Sequence, residues 1–274
     1  MAYKSTIITS NSNQNLHLST LWRYRELFMF FCLRDIKLRY RRLPIAIFWI
    51  IVPPLLMSSI FNLSFGKVIT ISPSGLPYLL FAYLGLIFWN FFSAIITRSS
   101  SSLLNNQSLI TKTYFPRILL PLSSSSIILV DFGFVFLFFI GLMFLYHIDV
   151  NFQQLVIFIP ALLITFLFAS GIGIAFSALN IKYKDIRELL PMLISLLFFL
   201  TPVIYPVKLI SHYYYPLLYL NPLMGVIDTV RSSLFDQSTI NWFGIGVSVI
   251  SSLIIFIIGI SYFHKVENEL VDII

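Results

Sequence analysis

Charge is scarce in this 274-residue chain: Asp, Glu, Lys and Arg together make up 11% of it, where soluble domains carry about 25%. So few charges cannot cover a water-exposed globule. With 58% hydrophobic residues and a mean hydropathy of +0.90, the chain belongs to the membrane class. Cysteine is nearly absent. Cys32 stands alone, which rules out an intrachain disulfide and gives no sign of an oxidised scaffold. The four histidines, at 17, 147, 212 and 264, are scattered, and no His/Cys spacing resembles a metal site. There is no G-x-x-x-x-G-K-[ST] run: Gly66-Lys67 follows FNLSF and precedes Val68, so no phosphate-cradling loop is visible. No paired carboxylates stand in a polar loop where acid–base work could happen. Asp185 and Glu188 come closest, but KYKDIRE reads as a salt-bridged turn. These absences assign no catalytic, cofactor-binding or metal-ligating residue and disfavour an enzyme. If the chain moves something across a membrane, the energy comes from elsewhere. Residues 1–20 are polar and lack an apolar core segment, so no cleavable signal is expected and the first span serves as the targeting signal.

What is abundant is long apolar runs. A spanning helix needs about 20 apolar residues at ~1.5 Å each. Five stretches reach that length: Leu43–Phe65, Pro77–Thr97, Ile118–His147, Leu155–Leu179 and Trp242–Phe263. A sixth, Leu189–Tyr205, is short and is followed at once by a proline. Fifteen of the 18 cations then fall on one side, leaving Lys67, Lys208 and Arg231 for the other. Positive charge stays cytoplasmic. The expectation is six spans with both termini cytoplasmic, a transmembrane domain over 43–265 and a tail over 266–274. The net charge of +7 would hint at nucleic acid in a soluble chain, but here its distribution obeys membrane topology, and no nucleic-acid partner is expected.

Several segments are not simple spans. Residues 21–42 read as an interfacial helix: Tyr24, Leu27, Phe28 and Phe31 recur at helical spacing, and Arg34, Lys37 and Arg41 gather toward the end. Phe30 and Leu33 interrupt the polar face, which leaves packing on protein open beside a lipid-surface anchor. Asp131 is the one carboxylate inside an expected span, so it should face protein or water. The serines at 123–126 are candidate donors to it, and a structural polar contact is favoured over a proton relay. Before the last span, Asn221-Pro222 reads as an N-cap and first helical position, opening a short outer helix that carries Asp228 and Arg231. Tyr205, Tyr213, Tyr214, Tyr215 and Tyr219 crowd ahead of it. They serve either as rings at the membrane–water boundary or as faces for sugar. Between the second and third spans, LITKTYFPR holds two cations, two aromatics and a proline. It is either a protein-docking element or a boundary turn.

Four stretches in register carry a resemblance: 34–66 (RDIKLRYRRLPIAIFWIIVPPLLMSSIFNLSFG), 109–123 (LITKTYFPRILLPLS), 178–206 (ALNIKYKDIRELLPMLISLLFFLTPVIYP) and 220–235 (LNPLMGVIDTVRSSLF). Together they resemble the permeases of type-2 ABC exporters for O-antigen, capsular polysaccharide and teichoic acid. The resemblance implies an all-α integral membrane protein with six spans, an N-terminal interfacial helix, a cytoplasmic coupling helix and outer re-entrant helices. It implies a homodimer in the bacterial inner membrane paired with two ATP-binding subunits that hold ATP and Mg, moving lipid-linked polysaccharide. In that picture Lys112, Tyr114, Phe115, Pro116 and Arg117 dock on the ATPase. Trp49, Tyr83, Phe88, Trp89 and Phe92 are candidates to line a glycan path, with ordinary span packing an equal alternative for each. The five outer tyrosines, Asp228 and Arg231 are candidates for an exit gate. The rival readings are a type-2 exporter of drugs or lipids, a teichoic acid exporter and, from another class, a membrane-embedded glycan-processing enzyme.

Overall fold

The computed structural model describes residues 22–66, 77–113, 115–148, 152–183, 185–210, 213, 215–236 and 242–267. Those residues build an all-α membrane protein with no strand among them. Helix α1 (Arg25–Arg39) passes through a 3-10 turn, Tyr40–Arg42, into α2 (Leu43–Phe65). Then come α3 (Tyr78–Asn105), the short α4 (Gln107–Lys112), α5 (Leu119–Leu145), a five-residue α6 (Phe152–Val156) and α7 (Phe158–Lys182). The chain continues with α8 (Ile186–Leu200), the one-turn α9 (Tyr215–Leu218), α10 (Pro222–Arg231) and α11 (Trp242–Glu267).

Five helical stretches among the described residues are long and apolar enough to cross a membrane, ending in α2, α3, α5, α7 and α11. The sixth expected span differs in form. Helix α8 has 15 residues, about 22 Å of rise, and a backbone turned extended at Thr201 ends it (ψ 134°). From there to Pro206 the chain is non-helical, with Thr201, Pro202 and Val203 all buried. Pro202 restricts the residue before it to the extended region, which is why the helix stops at that point.

Helix α3 is the centre of the bundle, packed against α2, α5 and α7, while α11 lies on α7. Phenylalanine fills the space between them. Phe88 stacks on Phe158 with centroids 6.0 Å apart, and Phe92 on Phe168 at 5.1 Å. Small residues let α7 and α11 touch backbone to backbone: a Cβ on Gly259 would collide with the Gly171 carbonyl, and one on Gly171 with Phe256. Helix α5 closes with a left-handed cap at His147 (φ 54°). The Ile148 and His147 amides return to the Met143 and Phe144 carbonyls, the paired bonds that satisfy a helix C-terminus.

Helix α2 stands outside this core. Leu56, Ile60 and Leu63 face outward, and α8 likewise exposes Leu189, Met192, Leu196 and Phe199. Phe61 stacked near Phe198 brings the two helices together. Pro53 and Pro54 lie inside α2. Each removes an amide, so the Trp49 and Ile50 carbonyls lose their partners four residues on.

Candidate functional site

Three polar assemblies interrupt the apolar bundle, one at each end and one between α1 and α5. The first surrounds α4. Ile110 anchors α4 in a second core, where it packs with Phe31, Leu103, Phe115, Ile118 and Phe263. Gln107, Ser108, Thr111, Lys112 and Thr113 are exposed. This divides the residues expected to dock on a partner. Lys112 faces out. Phe115 is buried, its ring 5.5 Å from that of Phe31; it joins α1 to this loop instead of projecting from it. The reason is physical: a ring set between two helix ends removes more apolar surface from water when it turns inward. Pro116 and Arg117 are half-buried, and the Arg117 amide donates to Glu267 Oε1 at 3.4 Å, tying the loop to the end of α11. Tyr114 lies outside the described residues.

The second assembly centres on Asp131, one of the few polar side chains buried in α5. The serines of 123–126 are not its partners. Ser123, Ser125 and Ser126 donate to the carbonyls of Leu120, Pro121 and Leu122 on their own helix, the local bonding that hydroxyls favour in an apolar helix. Asp131 is instead met from 92 residues away by Arg39, whose Nε donates to Oδ1 at 2.9 Å and whose Nη2 donates to Oδ2. The Tyr40 hydroxyl also donates to Oδ1. A carboxylate in the bundle thus receives a two-pronged arginine and a phenol, the geometry that offsets its desolvation. Helix α1 is held along α5 by this cluster and by Phe31. Leu27, Phe28 and Ile36 also pack inward, while Met29, Phe30, Leu33 and Leu38 point away from the protein, the arrangement of a helix lying between a protein face and a lipid surface.

The third assembly holds the break after α8. Asn221 caps α10, its side chain accepting from the Leu223 amide, and also donates to Thr201 Oγ1 at 2.8 Å. Arg231, the last residue of α10, is almost wholly buried. It donates to the Pro202 carbonyl at 2.6 Å, to the Phe81 carbonyl at 2.9 Å and to the Val203 carbonyl, with its guanidinium 3.6 Å above the Phe81 ring. Tyr78 donates to the Ile204 carbonyl at 2.7 Å. Arg231 therefore does not face an exit; it occupies the backbone acceptors of the non-helical segment. Asp228, one turn earlier, adds attraction to it. Of the five tyrosines ahead of α10, Tyr213 is exposed, Tyr219 is buried against Tyr215, and Tyr205 donates to the Phe199 carbonyl. Tyr214 is outside the described residues.

The five aromatics considered for a path separate as well. Tyr83, Phe88, Trp89 and Phe92 are enclosed within the bundle, their faces taken by Phe139, Phe158, Phe198 and Phe168. In this chain they are packing residues. Trp49, on α2, is the one that presents its ring outward.

Residues 26–235 match the ABC-2 type transporter family. The "O-antigen export system permease protein RfbA" of Klebsiella pneumoniae is 29% identical over 245 residues, covering 88% of this chain and 92% of that protein. A protein of the same name from Myxococcus xanthus is 25% identical over 224 residues, 79% of this chain and 83% of its own. The "Polysialic acid transport protein KpsM" of Escherichia coli is 24% identical over 245 residues, covering 87% and 92%. A chain with helices of membrane-spanning length whose residues 26–235 match that family model belongs to the ABC-2 type transporter family.

Proposed function

We propose that this protein is the permease of an exporter that carries lipid-linked polysaccharide, O-antigen or capsule, across the bacterial inner membrane. It works as a homodimer with two separate ATP-binding subunits, which hold the ATP and Mg. Both termini and the α4 loop lie in the cytoplasm. The observation that supports this most is the end-to-end likeness to export permeases for O-antigen and polysialic acid. The chain's own chemistry agrees: the sequence contains no phosphate loop, so hydrolysis belongs to a partner.

The geometry supplies a route for coupling. The exposed face of α4, with Lys112 on it, meets the ATPase. Behind that face, Ile110 and Phe115 share one cluster with Phe31 of α1 and Phe263 of α11. A displacement of α4 is thereby passed to the interfacial helix and to the last span together. The Arg39–Asp131 pair carries the same movement into α5. The substrate path lies outside the packed core of one chain, along the outward faces of α2 and α8, where a second copy closes it.

The test is where lipid-linked polysaccharide resides in a strain lacking the gene. Loss from the surface with accumulation on the cytoplasmic face, reversed by the gene, is the expected result. Unchanged surface glycan would move a drug or lipid substrate ahead. Orientation is checked by cysteines placed at Thr111 and Tyr213, both exposed. The first should label only after the membrane is permeabilised, the second from outside, and the reverse pattern overturns the topology.

A further inference from the structure

Helix α3 is uncharged over 28 residues except for Arg98. A lone cation on a spanning helix normally meets an acid or water. Arg98 forms no ion pair or hydrogen bond through its guanidinium among the described residues. It lines a cavity of about 650 Å³ between α1, the end of α3 and the start of α5. The wall also holds Arg34, Asp35, Arg39, Asn105 and Ser124. Three arginines thus stand against one aspartate. Two of the three are already committed: Arg34 to Asp35 at 2.8 Å and Arg39 to Asp131. Each still has N–H groups to spare, since a guanidinium carries five. Arg98 has all of its own.

We propose that this cavity binds the phosphate or diphosphate head of a lipid from the cytoplasmic leaflet, with Arg98 as its principal contact. The side of the membrane rests on the topology proposed above. The chemistry follows from the residues. Planar guanidinium forks match phosphate oxygens two at a time, and several of them around one polar hollow select an anion with more than one oxygen. The volume is that of a ligand site, large enough for a diphosphate. The position suits a lipid head: α1 turns Met29, Phe30, Leu33 and Leu38 outward, as a helix at the lipid boundary does, so acyl or prenyl chains can remain in the bilayer while the head sits among the arginines. The cavity is polar on a chain otherwise poor in charge, and its excess is positive. Asp35 limits the attraction and keeps the site from being a general anion trap. The same chemistry has two sources: the diphosphate of a carrier lipid bearing the glycan, or the phosphodiester of bulk anionic phospholipid.

The test uses the purified full-length permease in detergent, with binding read by native mass spectrometry. The probes are geranylgeranyl diphosphate, the matching alcohol and a short-chain phosphatidylglycerol. The wild-type chain should retain the diphosphate and not the alcohol. Arg98→Ala should weaken retention about tenfold to a hundredfold, the scale of a charge-assisted bond. Asn105→Asp, at an exposed position of the wall, adds a repelling charge without disturbing the core and should weaken it too. Diphosphate preferred over phosphatidylglycerol identifies the carrier head. Equal binding of both, lost together in the two variants, supports the site with bulk phospholipid as its occupant. Retention of the alcohol as well as the diphosphate, or binding that neither variant alters, overturns the proposal. Glycan export measured in cells separates the two readings. Normal export by Arg98→Ala and Asn105→Asp refutes a substrate role for the cavity alone, whereas a gene that supports no export while its product binds the diphosphate refutes the glycan and leaves the cavity.

Discussion

Replacing Arg231 by methionine tests whether the break after α8 is held by one side chain. The segment after α8 leaves the helix at Thr201, and in a membrane-embedded bundle every carbonyl without a partner costs free energy. Arg231 occupies three such acceptors, those of Pro202, Val203 and Phe81. Leaving them bare costs ~1–3 kcal/mol each, or roughly 3–9 kcal/mol in all. Against that, the buried cation itself carries a desolvation penalty of several kcal/mol, which the methionine removes. A net loss of about 3 kcal/mol results, or ~6–12 °C in melting temperature at ~2–4 °C per kcal/mol. The assay is thermal unfolding of the purified chain in a fixed detergent, followed by tryptophan fluorescence. Arg231→Lys is informative beside it: the charge survives, but an ammonium cannot span carbonyls on two elements as the fork does, so most of the loss should remain. Gly85→Ala approaches the same clamp from α3, because a Cβ there would strike Arg231 Nη2 and the Val203 carbonyl. The two effects should be less than additive when Gly85→Ala and Arg231→Met are combined, as expected for substitutions sharing one contact. Melting temperatures unchanged in both single variants would refute the clamp, and full additivity would refute its sharing.

Two other outcomes are expected. Asp131→Asn leaves Arg39 facing a neutral amide and should destabilise by ~3–5 kcal/mol, with α1 becoming accessible to protease. The double replacement Arg39→Met with Asp131→Leu should recover most of that loss, and a double variant as weak as the single one would show that the pair is not what holds α1 to α5. Phe115→Ala should lower stability by ~3–5 kcal/mol, as for a core aromatic, whereas Lys112→Glu on the exposed face should leave melting unchanged and reduce co-purification of the ATPase; the opposite assignment would place the docking surface on the aromatic.

The membrane class and the long apolar helices were legible in the residues themselves, because hydropathy over about 20 positions is a property of the chain and the bilayer, not of packing. The Asn221-Pro222 helix start was legible for the same reason: capping is decided within a few residues. The four stretches quoted in register were enough to point to the family. Partnership across the chain was not legible. Nothing local distinguishes Arg39 from the six other cations between residues 22 and 42, or shows that it reaches Asp131 while the nearer serines bond to their own helix. Phe115 looked like a docking residue because aromatics and arginines anchor interfaces, yet the same ring buries equally well against Phe31. Tyr83, Phe88, Trp89 and Phe92 could serve a path or a core by composition, and the neighbouring phenylalanines of α5, α7 and α8 enclose them in the core. The inward turn of Arg231 and the early end of α8 were settled together, since an unwound segment is stable only where another element brings donors to it. The sequence by itself determined that long apolar helices dominate the chain and that its cations are unevenly spread among the segments between them. Only the tertiary structure decided which polar groups meet, because that depends on elements up to 150 residues apart arriving at one place.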